Sequence, residues 1–180
     1  MATRNILRDD DPGLLKKSRA VTEFNQRLHI LLDDMKETLI KANGLGLAAP
    51  QVGVLRRAVL IVDTDIEAES PEDQIIELIN PQILDIDGIQ TGREGCLSVP
   101  GVYGIVTRPD SVTVEANDRY GNSFELSGTQ LTARAICHEV DHLDGVVFTS
   151  KVERYLTEEE IAELTAENEQ EDDQENTDEG

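Results

Sequence analysis

An α+β fold is predicted by three features of this 180-residue chain. Two segments carry apolar residues at helical spacing. Several short runs are apolar or alternate over strand lengths, and turn-forming Gly, Pro, Asn and Asp separate them. Together they imply small antiparallel sheets packed around a central helix that carries His138-Glu139-Val140-Asp141-His142, with a long N-terminal helix. A single domain is expected over residues 1–156. Residues 157–180 read as a short acidic helix followed by a disordered acidic tail.

Taken in order, Asp11-Pro12-Gly13 is a turn or helix-start signal. A long amphipathic helix is expected after Thr22, a residue type that caps helices. Phe24, Leu28, Leu31, Leu32, Met35 and Leu39 give it one apolar face, and Asn43-Gly44 ends it. His29 has no partner near it in sequence and reads as a surface or packed residue. Gly44-Leu45-Gly46-Leu47-Ala48-Ala49-Pro50-Gln51 is small, apolar and kinked. Either its backbone approaches something closely, or it is a tight buried connection in which Gln51 caps backbone groups. It completes no nucleotide-binding glycine pattern.

Residues 58–62 read as a buried strand and 65–73 as an acidic surface loop. Residues 75–79 and 83–86 read as two strands separated by Asn80-Pro81. Residues 112–116 alternate as a half-buried strand, turn at 118–122, and return over 124–126. A helix is expected from about Thr129 to Asp144, stopped by Gly145, with Ala133, Ile136, Val140 and Leu143 facing the core. Thr157-Glu158-Glu159-Glu160 is a capping box for a brief helix. Beyond Asn168 no apolar anchor remains.

Composition excludes several roles. The formal net charge is −21, and residues 157–180 hold twelve acidic side chains and no basic one. Such a surface repels nucleic-acid phosphate and anionic lipid, which argues against DNA or membrane binding. No apolar run is long enough to span a bilayer, and the first residues lack a secretory core. Two cysteines form no disulfide framework, so a reducing, cytoplasmic setting is expected. Nothing indicates an obligate assembly, and a monomer is expected.

The chemistry lies in His138-Glu139-Val140-Asp141-His142. Histidines four apart share one helix face and can reach one cation, while Glu139 can address a water on that cation as a general base. A catalytic metal takes three protein ligands and keeps one open position. Later acidic residues could supply the third ligand. Cys96, within Glu94-Gly95-Cys96-Leu97-Ser98-Val99-Pro100-Gly101, is the better candidate, because thiolate suits zinc or ferrous iron. It could also be a small buried hydrophobe. Cys137 points about 100° away around the helix from His138.

Three blocks together resemble the bacterial-type peptide deformylase family: residues 44–51, residues 94–98, and residues 138–145. Their order and spacing match, and the similarity runs from about Asp11 to Tyr155. The resemblance implies a catalytic domain over 1–156 that removes the formyl group from N-formylmethionyl nascent polypeptides and releases formate. It implies that Cys96, His138 and His142 hold one divalent metal, Fe2+ physiologically, with Zn2+, Ni2+ or Co2+ as substitutes. A metal-bound hydroxide would attack the formyl carbon, with Glu139 as general acid/base. The metal, the Gln51 amide and the Leu97 N–H would hold the oxyanion.

Closely packed Gly44, Leu45 and Gly46 would admit formyl and exclude acetyl. Leu45, Leu131 and Ala135 would line the methionine slot. Glu94, Gly95, Gly101 and Tyr103 complete the expected substrate contacts, with the peptide pairing as a strand around 101–103. Two features depart from the family. Cys137 stands where glutamine is usual, adding a thiol that could sensitise the site to oxidation. The acidic C-terminus has the wrong sign for the ribosome docking that some relatives achieve through a basic helix. Two other readings use the same helix: a metallopeptidase, and a non-catalytic binding module whose metal is closed by four protein ligands.

Overall fold

Strand β2 (Ala58–Val62) is apolar throughout because it lies between two cores. Val59 and Ile61 join one cluster with Ala133, Ile136 and Leu143. Ala58 and Leu60 join another with Leu28, Leu32, Met35 and Leu39. Alternate residues of a strand point to opposite faces, so a strand covered on both sides loses its polar half.

The computed structural model describes the backbone of residues 1–175 and the side chains of residues 1–171. In chain order the elements are α1 (Gln26–Ala42), β1 (Gly46–Ala48), β2, β3 (Ile75–Asp87), β4 (Gln90–Cys96), β5 (Val99–Arg108), β6 (Ser111–Asn117), β7 (Ser123–Thr129), α2 (Gln130–Leu143), β8 (Arg154–Tyr155) and α3 (Glu158–Glu175). Short 3-10 turns join several of them. Five strands form one sheet in the order β1-β2-β3-β6-β7, and three form another in the order β4-β5-β8. Every pairing between these strands is antiparallel, so the chain has the expected α+β class.

The elements depart from the sequence reading in five places. Helix α1 starts later than Thr22: Asn25 is its cap and accepts from the Leu28 N–H at 3.2 Å. Phe24 still packs on the α1 core, from outside the helix. The left-handed residue that ends α1 is Asn43, at φ 50°, rather than Gly44; asparagine is among the few non-glycine residues that tolerate it.

Residues 75–87 form one strand, not two. Asn80 has φ 51°, and the register shifts between Ile79 and Gln82. The Asn80 side chain accepts from the Val21 N–H at 2.8 Å and donates to the Val21 carbonyl at 2.9 Å. The apparent break is therefore a bulge where β3 leaves β2 and takes up β6.

Residues 90–108 form a hairpin, with Cys96 pairing with Val99 across Leu97-Ser98. Helix α3 runs to Glu175, well past Asn168. Its capping box is formed: the Thr157 N–H donates to Glu160 at 2.8 Å, and the Glu160 N–H to Thr157 Oγ1 at 3.2 Å. Tail disorder was expected from residue 169 on. Residues 169–175 are helical, and 176–180 lie outside the described residues.

Candidate metal centre and its cavity

Helix α2 presents two chemically different faces. Ala133, Ile136 and Leu143 enter the first core. Arg134, His138 and His142, spaced four apart, lie on another face, and the first two reach the β4–β5 sheet. Gly145 ends the helix region at φ 73°, and a Cβ there would meet the Leu15 carbonyl at 2.5 Å. Glycine is required there twice over, by conformation and by contact.

The hairpin turn carries Cys96 to this face. Ligand atoms of Cys96, His138 and His142 all lie within 4.8 Å of one another. Cys96 Sγ is 3.3 Å from His142 Nε2. Both histidines are buried and Cys96 is half-buried. Burial pushes the His142 pKa down to about 3, which keeps its ring neutral as a ligand requires. Cys137 is not in the group; burial pushes its thiol up to about 11.

Behind the ligands stands a buried ionic hub that sequence reasoning missed. Glu94 was expected to touch substrate. Its carboxylate accepts from Arg108 at 3.0 and 2.6 Å, from Arg134 at 3.0 Å and from His138 Nδ1 at 2.9 Å. Arg108 also donates to Asp141 at 2.6 Å. Burial opposes ionisation of Glu94, but the hydrogen bonds from His138 and Arg108 outweigh it and hold its pKa at about 2. An ionised Glu94 can only accept, so His138 Nδ1 carries the proton and Nε2 is left for the cluster. Arg134, one helical turn before His138, was the signal available in the sequence.

Glu139 is 4 % exposed, and its Oε2 has no hydrogen-bond partner among the described residues. Burial pushes its pKa up to about 7, where a group both takes and gives protons readily. The β1 backbone approaches it closely: a Cβ on Gly46 would stand 2.5 Å from Glu139 Oε1. Gln51 is buried, accepting from the Ala48 N–H at 2.9 Å and donating to Ser98 Oγ at 3.1 Å. Its Nε2 lies 3.5 Å from Cys96 Sγ. Segment 44–51 is thus both a close approach and a tight connection capped by Gln51.

A cavity of about 640 Å3 opens over this centre. Gly44, Leu45, Gly46, Glu94, Gly95, Gly101, Tyr103, Leu131 and Ala135 all line it, together with Cys96, Leu97, His138 and Glu139. Gln51 and His142 are buried beside these residues and do not themselves line it. The backbone around Tyr103 is already paired, with Gly95 opposite it and its carbonyl accepting from the Leu156 N–H at 2.9 Å. Of the edge strands, β1 and β4 contribute residues to the cavity wall. Asn168 and Glu171 of α3 also line the cavity, which the sequence did not suggest.

The donor set suits a divalent cation. One sulfur and two imidazole nitrogens match zinc or ferrous iron, and a three-ligand set would leave a coordination position open. Fold and site together define a metal-dependent hydrolase. The polypeptide deformylase family model matches residues 3–158. The peptide deformylase of Caldicellulosiruptor bescii is 55% identical over 161 residues, covering 89% of this chain and 92% of that protein. Peptide deformylase 1 of Bacillus subtilis is 46% identical, covering 91% and 99%. A crystal structure of a peptide deformylase from Legionella pneumophila superposes with a TM-score of 0.77 at 36% identity, covering 93% and 98%.

This chain belongs to the polypeptide deformylase family. Its activity is removal of the N-formyl group from nascent peptides, and the family implies a divalent metal. No helix among the described residues is long and apolar enough to cross a membrane.

Proposed function

We propose that residues 1–156 form a single catalytic domain that hydrolyses the formamide of N-formylmethionyl peptides. Cys96, His138 and His142 hold the cation, Fe2+ in the cell, replaceable by Zn2+, Ni2+ or Co2+. The observation that carries this reading is the convergence of those three ligand atoms within 4.8 Å beside an unpartnered, buried Glu139. Bound there, the cation supplies Lewis acidity and lowers the pKa of water toward neutrality.

The protein's own groups do the rest. Glu139, buried and unpartnered, takes a proton from the attacking water and gives it to the departing amine. As the formyl oxygen gains charge, the Leu97 N–H and the Gln51 amide donate to it. Gly44, Leu45 and Gly46 set the size limit that admits formyl and rejects acetyl. Leu45, Leu131 and Ala135 take the methionine side chain, and the peptide pairs with the free edges of β1 and β4.

The enzyme acts as a cytoplasmic monomer on chains emerging from the ribosome. Its encounter with the ribosome is transient, and the acidic C-terminus has the wrong sign to dock on ribosomal RNA. Anaerobic metal analysis coupled to formate release from a formyl-Met-Ala-Ser tripeptide tests the reading. One cation per chain and one formate per new amine are expected, with the acetyl twin at least about tenfold slower. A metal-loaded enzyme that releases no formate overturns it.

A further inference from the structure

We infer that α3 forms a wall of the substrate cavity, and that its carboxylates favour nascent chains with basic rather than acidic side chains beyond the formylated residue. This rests on the deformylase reading and adds a specificity element to it. The helix starts beside β8, where Arg154 pairs with Glu160 at 2.9 Å. It then reaches the opposite edge of the same sheet, where Glu167 Oε2 lies 3.7 Å from Arg93 Nη1 on β4. Asn168, the next residue, and Glu171, one turn on, line the cavity whose inner wall holds His138 and Glu139. Glu160, Glu167 and Glu171 are spaced to share one helix face.

Apolar packing does not account for this course. Ile161 and Leu164 are the only large apolar residues of α3, and neither belongs to a core cluster. The cations nearby are already engaged: Arg93 faces Glu167, and Arg134 donates to Glu94 and the Val106 carbonyl. Glu171 has no ion-pair partner among the described residues. A peptide seated along the β4 edge therefore passes under a carboxylate that no protein cation neutralises. The formylated residue sits at Glu139, and the charge acts on side chains further along.

The test compares kcat/KM for formyl-Met-Ala-Lys-Lys, formyl-Met-Ala-Ser-Ser and formyl-Met-Ala-Glu-Glu, using the full metal-loaded chain. Exposed charge pairs of this kind are worth about 1.4- to 5-fold each, so a Lys-to-Glu preference of about 3- to 10-fold is expected. It should reside in KM and shrink when salt rises from about 0.05 M to about 0.5 M. Glu171→Gln should lower the preference, and Glu171→Lys should invert it, which loss of folding cannot do. An unchanged Lys-to-Glu ratio in both variants overturns the proposal. Failure of the wild-type enzyme on the neutral Ser peptide is the separate failure of the deformylase reading.

Discussion

His138 Nδ1 donates to Glu94 Oε2 at 2.9 Å, which joins the proposed metal ligand on α2 to a carboxylate on β4. That bond fixes the ring orientation, and Arg108 and Arg134 in turn fix the carboxylate. Removing one partner of such a buried network leaves the others uncompensated. Glu94→Gln should therefore cost about 3–5 kcal/mol of stability and weaken metal binding about 10- to 100-fold. Urea unfolding and metal titration measure the two. Wild-type values in both would show that Glu94 organises nothing.

The same carboxylate gives a pH dependence with a definite sign. The folded-state pKa of Glu94 is lowered from 4.5 to about 2. Its contribution is complete above pH 4.5 and is lost as pH falls from there toward about 2. The stability difference between wild type and Glu94→Gln should narrow across that window. A difference that stays constant from pH 6 to pH 3 would contradict the assignment.

Gly46→Ala tests the contact between β1 and the general base. The three atoms nearest the added Cβ all belong to the Glu139 side chain, at 2.5–2.8 Å, so the fold should survive while the carboxylate is displaced. Misplacing a reacting group by about 1 Å can cost about a hundredfold in rate. The expected outcome is kcat lowered about 10- to 100-fold with thermal midpoint and metal content retained. Full activity would mean that Glu139 does not need its position.

The two thiols should behave differently. Cys96 lines the cavity, whereas Cys137 is 7 % exposed and its pKa is pushed up to about 11 by burial. Thiolate is the reactive form, so burial makes Cys137 a slow target, contrary to the oxidation sensitivity its sequence position suggested. In metal-free protein at pH 7, a thiol reagent should label Cys96 first and Cys137 only on unfolding. Equal labelling of both would contradict this.

Parts of the structure were legible in the sequence because their cause is local. Residues 58–62 and the stripe of Ala133, Ile136 and Leu143 are set by side-chain periodicity. The cluster of Cys96, His138 and His142 was legible because thiol and imidazole are scarce in this chain. The hairpin of β4 and β5 was not, because Thr91-Gly92-Arg93-Glu94-Gly95 has no apolar alternation. Its strand character comes from cross-strand pairing and from the Glu94–Arg108 ion pair, which are tertiary facts. The Asn80 bulge looked like a strand end because its partner, Val21, is 59 residues away. The course of α3 was hidden because polar tethers place it rather than an apolar stripe.

The claim on which the account rests is that Cys96, His138 and His142 share one cation. X-ray absorption at the zinc edge of the zinc-loaded enzyme tests it most directly. One sulfur at about 2.3 Å and two nitrogens at about 2.0–2.1 Å are expected, with the remaining coordination from light oxygen atoms. A spectrum with no sulfur neighbour, unchanged in Cys96→Ala, would contradict it.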